Sequence, residues 1–221
     1  MLPYICLIAY LTAAALNLFA AAKKRPSLFA ATKPLLLLIL CAYCFFRGAP
    51  APDLLLIGAL FACWLGDVLL MVSGDVWFTA GGIAFLTGHV LLILLFARQT
   101  DPSRLPAALL IPAAAVYLGI ACLIMIRSNK EAPRLMKVPI LLYLLCNATM
   151  NCFALSRAAA APALPAVLAY VGALLFFLSD CLLFLVRYDT GKKQFFKSDF
   201  WVMFTYVTGV LLITVGLASI R

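Results

Sequence analysis

The stretch Leu54-Leu55-Leu56-Ile57-Gly58-Ala59-Leu60-Phe61-Ala62-Cys63-Trp64-Leu65-Gly66-Asp67-Val68-Leu69-Leu70-Met71-Val72-Ser73 holds one charged residue in 20. Its length and apolarity match the ~20 residues that an α-helix needs to cross ~30 Å of hydrocarbon. Comparable runs fall at about 2–22, 28–46, 77–98, 105–126, 137–156, 163–186 and 198–220, so the sequence predicts eight spans. The composition agrees: 67% of the 221 residues are hydrophobic and 11% are charged, with a mean hydropathy of +1.13, against roughly half apolar in a soluble domain. In lipid every backbone amide must be bonded within its own segment, and uninterrupted runs exclude the alternating pattern of a membrane barrel. The expected fold is an all-α polytopic helix bundle, one integral membrane domain over residues 1–221.

A carboxylate in hydrocarbon is costly unless it is protonated, paired or turned toward a cavity. This chain places two in matching surroundings: Gly58-Ala59-Leu60-Phe61 leads to Leu65-Gly66-Asp67-Val68-Leu69-Leu70, and Gly172-Ala173-Leu174 leads to Leu178-Ser179-Asp180-Cys181-Leu182-Leu183. The repeat extends further, since Phe85-Leu86-Thr87-Gly88-His89-Val90-Leu91-Leu92 is echoed by Tyr206-Val207-Thr208-Gly209-Val210-Leu211-Leu212. The aspartates are 180 − 67 = 113 residues apart, about half the chain, and sit in spans of the same orientation. This predicts a parallel four-plus-four duplication, against the simpler alternative that Leu-rich spans resemble one another by composition. At a rise of ~1.5 Å per residue both aspartates lie somewhat past the centre of their spans toward the same side, so one cavity can hold both. The structural alternative is a pair of buried polar groups that hold helices together.

Other polar residues stand out against the apolar background. His89, near the middle of span four, is the only histidine and is either a proton-transfer group or a residue bonded to a neighbouring helix. Lys33 precedes an apolar run, Pro34 to Phe46, that is too short alone to span. The favoured expectation is a helix that begins at Pro34 with Lys33 snorkelling to the surface. The alternative starts near Leu28 and carries Lys33 inside, where its ammonium suits a phosphate headgroup. Asn147 and Asn151 share one face of span six and bridge helices or, for Asn147, touch a ligand. The eight cysteines all fall in predicted spans and read as small core residues, with no metal-binding cluster around Cys41 and Cys44.

The net charge of +9 sits in short connections and forms no basic stripe with interleaved aromatics, so nucleic acid is not an expected partner. Twelve of the 17 basic residues mark the odd-numbered connections: Lys23, Lys24, Arg25 and Lys33; Arg127, Lys130, Arg134 and Lys137; Arg187, Lys192, Lys193 and Lys197. By the positive-inside rule those connections are cytoplasmic and both termini are not, with the first run retained as a span. The basic connection between Tyr188 and Ser198 lies against anionic lipid or beside a site.

Several of these motifs together, Thr32-Lys33-Pro34-Leu35-Leu36, Gly66-Asp67 followed by Leu70, Phe85 with His89, Tyr143 followed by Met150, and above all Gly172-Ala173 leading to Leu178-Ser179-Asp180, resemble the YhhN-type lysoplasmalogenase family of multi-pass membrane proteins. The resemblance covers essentially the whole chain. Two positions depart from it: the family often carries a tyrosine three residues after the histidine, here Leu92, and a Tyr-Tyr-x-x-Gln in the last span, here Tyr206-Val207-Thr208-Gly209-Val210 without the glutamine.

The resemblance implies hydrolysis of the vinyl ether bond of a lysoplasmalogen, in a cytoplasmic or endomembrane bilayer. The products are a fatty aldehyde and glycerophosphoethanolamine or glycerophosphocholine. The residues suit that chemistry without a cofactor or metal. A vinyl ether is protonated at its β-carbon, and water captures the resulting oxocarbenium ion. Two carboxylates in unlike surroundings can divide the acid and base roles, as in glycosidases. Asp67, Asp180 and His89 are the candidate catalytic residues, with the acid and base unassigned; Lys33, Tyr206 and Asn147 are the candidate substrate-binding residues. No G-x-S-x-G elbow offers a competing nucleophile. The rival readings are a proton-coupled transporter built on the same intramembrane aspartates and a lipid-binding protein without activity.

Overall fold

The computed structural model describes residues 1–100, 107–128, 133–188 and 198–219, apart from the side chain of Leu135. Lys130, Lys192, Lys193 and Lys197, expected to mark cytoplasmic connections, lie outside the described residues. The described residues form eight α-helices: α1 (Leu2–Ala22), α2 (Pro26–Gly48), α3 (Leu54–Leu70), α4 (Asp75–Arg98), α5 (Ala107–Ser128), α6 (Arg134–Ala160), α7 (Leu164–Tyr188) and α8 (Ser198–Ala218). Seven are long and apolar enough to cross a membrane, and the eighth, α3, has 17 residues, a length of about 25 Å. Large apolar side chains such as Ile8, Ile83, Ile111 and Val116 point outward, as expected of helices solvated by lipid.

Lys33 departs from the favoured reading. The helix does not begin at Pro34; α2 starts two turns earlier at Pro26, whose fixed φ suits the first turn. Lys33 is therefore carried inside the bundle and is 9% exposed. Pro34 is tolerated mid-helix, and its carbonyl accepts a hydrogen bond from Trp64 Nε1 at 3.0 Å. What the run length did not reveal is the anionic partner for Lys33 on the next helix.

Neighbour packing follows the order α1, α2, α3, α4, α6, α7, α8 and back to α1, so seven helices enclose an interior while α5 rests outside against α6 and α7. Within this ring α3 packs chiefly on α4, and α7 on α8. Both seams are glycine-lined. A Cβ on Gly88 would lie 2.6 Å from Cys63 Sγ and 3.2 Å from the Ala59 carbonyl oxygen, and one on Gly172 would lie 2.6 Å from the carbonyl oxygen of Gly209. Ala59 and Gly172 each stand eight residues before an aspartate, one residue out of register with the Gly58-Ala59 and Gly172-Ala173 pairing read from the sequence. Such close backbone approach lets the short, polar faces of α3 and α7 turn inward together.

The turn from α1 into α2 holds one unusual backbone. Arg25 N–H bonds the Ala20 carbonyl and Lys24 N–H the Ala21 carbonyl, a Schellman closure with Lys24 in the left-handed region at φ +52°. Glycine is the usual residue there, since a side chain in that conformation costs about 1 kcal/mol.

Candidate active site

The ring interior holds two carboxylates with different neighbours. Asp67, on the last turn of α3, is 1% exposed. Lys33 of α2 places its Nζ 3.2 Å from Asp67 Oδ1, and Tyr206 of α8 donates its hydroxyl to Oδ2 at 2.6 Å. Both oxygens are thus engaged, one by a cation. Asp180 of α7 is 4% exposed and is met by neutral donors. Tyr143 donates at 2.8 Å and Asn147 at 2.6 Å, both from α6 and both to Oδ2. His89 Nε2 stands 3.6 Å from the same oxygen. Both side-chain donors given for Asp180 thus converge on one oxygen, Oδ2.

The two shells interlock across the repeat. Tyr206 from the second half reaches the first aspartate, and His89 from the first half approaches the second. Phe176 lies between them, its ring centroid 5.4 Å from Tyr206 and 4.9 Å from His89. Phe85 closes the same gap, edge-on to Phe176 at 6.3 Å and to Tyr206 at 6.0 Å. Gly66 makes room for it, because a Cβ there would overlap the Phe85 ring. The interior between the carboxylates is therefore aromatic, a surface whose faces stabilise positive charge.

All six residues expected at the site line this interior. Lys33, Tyr206 and Asn147, expected beside substrate, each make a direct contact with one of the carboxylates. Asn147 in turn is held by Asn151, whose Nδ2 donates to the Asn147 carbonyl at 3.0 Å and to Oδ1 at 3.1 Å. Two tyrosines join them that carried no charge to betray them. Tyr143 is the second donor on Asp180, and Tyr10 of α1 donates to the Val207 carbonyl at 2.7 Å, fixing α1 against α8 beside Tyr206.

Two clefts approach the carboxylates from the end of the bundle that carries Lys24 and Arg187. One, of about 590 Å³, runs between α1, α2, α7 and α8, with Lys33 in its wall. The other, of about 230 Å³, is apolar and runs between α4, α6 and α7, with Phe85 and Tyr143 at its inner side. Leu183, one turn beyond Asp180, lines both.

Residues 28–217 match the YhhN family. The chain belongs to that family. All the carboxylate contacts just described fall within the matched YhhN segment, and Tyr10 falls outside it. Relatives from Mycobacterium bovis and Mycobacterium tuberculosis, each named lysoplasmalogenase, are 28% identical over 165 residues. That alignment covers 73% of this chain and 59% of each relative, so this YhhN protein spans less than two thirds of their length. No solved structure matches the chain.

Proposed function

We propose that this protein is a membrane-embedded hydrolase that cleaves the vinyl ether bond of lysoplasmalogens, with Asp180 as the acid and Asp67 as the base. The observation that carries this reading is the contrast between the two carboxylates. A carboxylate with a cation on one oxygen and a phenol on the other is held as the anion. A carboxyl whose neutral donors converge on Oδ2 is suited to bear its proton on Oδ1 and deliver it from there. The names of the mycobacterial relatives support the same reaction class.

In this scheme the alkenyl chain lies in the apolar slot, which puts the β-carbon on the Asp180 side. The proton of Asp180 Oδ1 passes to that carbon as the π pair forms the new C–H bond, leaving an oxocarbenium ion beside the ether oxygen. Asp67 and the faces of Phe85 and Phe176 stabilise that cation. Water adds to it and gives its proton to Asp67. The hemiacetal hydroxyl then loses its proton and its oxygen becomes the aldehyde carbonyl, while the bond from that carbon to the glycerol oxygen breaks and the glycerol oxygen gains a proton, releasing aldehyde and glycerophospho-alcohol. The proton on Asp67 returns to Asp180, with His89 as the last relay. The positive-inside expectation puts the cleft mouths on the cytoplasmic side.

The test is product analysis of purified protein with an alkenyl lysophospholipid and its saturated alkyl counterpart, beside Asp180→Asn. Aldehyde from the alkenyl lipid only, lost in the variant, is expected. No aldehyde from folded protein would overturn the reading and favour proton-coupled transport, measured as substrate-driven proton flux in proteoliposomes.

A further inference from the structure

The 590 Å³ cleft has features that neither carboxylate needs. Its lining includes Lys24 and Arg25 from the α1–α2 turn, Asp199 from the first turn of α8 and, deeper in its wall, Lys33 from two turns into α2. Its floor is apolar, including Phe29, Leu70 and Leu183. The first turn of α2 has no side-chain cap and borders the cleft through Arg25 and Pro26, so the positive end of the helix dipole lies beside it. Lys24 stands there in the left-handed conformation where glycine is the unstrained choice.

Three cations and an uncapped helix start suit an anion, but a simple phosphate is opposed by the carboxylate of Asp199 on the same wall. A zwitterion resolves the opposition, because its negative and positive groups are joined by a short carbon link. We infer that this cleft reads both charges of a phosphoethanolamine or phosphocholine headgroup, with the phosphate on Lys24, Arg25 and Lys33 and the ammonium on Asp199. Lys33 has three N–H donors, so contact with Asp67 leaves others for phosphate. Lys33 then couples headgroup binding to the catalytic anion: the phosphate that seats the substrate touches the ammonium that holds Asp67. The assignment rests on the proposed lysophospholipid substrate and adds Lys24, Arg25 and Asp199 as residues that determine headgroup specificity.

Binding of non-cleavable alkyl analogues tests this apart from catalysis. Full-length protein in detergent is titrated with alkyl-glycerophosphoethanolamine and with alkyl-glycerophosphate, which has the same tail and phosphate but no amine. Wild type is expected to prefer the zwitterion. Asp199→Asn weakens the ethanolamine lipid about fivefold, the range of an exposed charge pair, and leaves the phosphate lipid unchanged or tighter. Lys24→Gln and Arg25→Gln weaken both. Glycerophosphoethanolamine without a tail competes with the zwitterionic lipid if the headgroup itself is read, and inorganic phosphate competes less well. Equal effects of Asp199→Asn on the two lipids, or none on either, overturn the assignment even if aldehyde is released. Charge-selective binding without aldehyde release upholds the cleft and refutes the hydrolase.

Discussion

Replacing Lys33 with methionine keeps most of the side-chain volume and removes the ammonium that faces Asp67. Asp67 is 1% exposed and cannot recover that partner from water. Breaking a buried ion pair by removing one member costs about 3–5 kcal/mol, because the remaining charge stays desolvated. The Tyr206 hydroxyl, 2.6 Å away on the other oxygen, stays in place and keeps the cost near the lower end of that range. In a chain of this size, about 3 kcal/mol corresponds to a fall in Tm of roughly 6–12 °C. The double variant Lys33→Met with Asp67→Asn removes the stranded charge and still offers Tyr206 an acceptor, so it should regain most of the loss and show a coupling of at least ~2 kcal/mol. Near-UV circular dichroism of the four proteins, heated in the same detergent, measures the cycle. The reasoning is refuted if Lys33→Met costs under about 1 kcal/mol, or if the double variant melts no higher than the single.

Three further outcomes follow from the geometry. Gly172→Ala forces α7 and α8 apart, since its Cβ would meet the Gly209 carbonyl oxygen at 2.6 Å; a loss of about 1–3 kcal/mol in thermal stability is expected, with activity falling because Asp180 and Tyr206 ride on those helices. Tyr143→Phe removes one of two donors from Asp180 while preserving the ring, and should lower kcat about tenfold or more with little change in melting. Gly82 lines the apolar slot and has open space where a Cβ would go, so Gly82→Leu should fold as well as wild type while raising KM more for long alkenyl chains than for short ones. Equal KM changes at all chain lengths would remove the chain from the slot.

Much of the fold was legible because lipid leaves the backbone few options: run length alone predicted the eight helices, with α3 shorter than expected. Asp67 and Asp180 were legible for a related reason, since a charge in hydrocarbon stands out against its surroundings. Lys33 was misread because counting apolar residues starts the helix at Pro34, whereas the true start is set by Pro26 and the burial by an anion 34 residues later in the chain. Tyr143, legible only as a motif residue without a role, and Tyr10 were harder still to place. A tyrosine in a span has an apolar body, and its hydroxyl signals nothing until the helix opposite supplies Asp180 or the Val207 carbonyl. The crossing of the two halves, Tyr206 to Asp67 and His89 toward Asp180, depends on ring closure, which no local pattern encodes.

Carbon protonation by Asp180 is the central claim, and solvent deuterium tests it most directly. Turnover of an alkenyl lysophospholipid in D2O, with the aldehyde reduced at once to the alcohol to prevent exchange, should give product with one deuterium on the carbon next to the former carbonyl, and Asp180→Asn should give none. Aldehyde free of deuterium at that carbon, or undiminished labelled product from Asp180→Asn, would contradict the account.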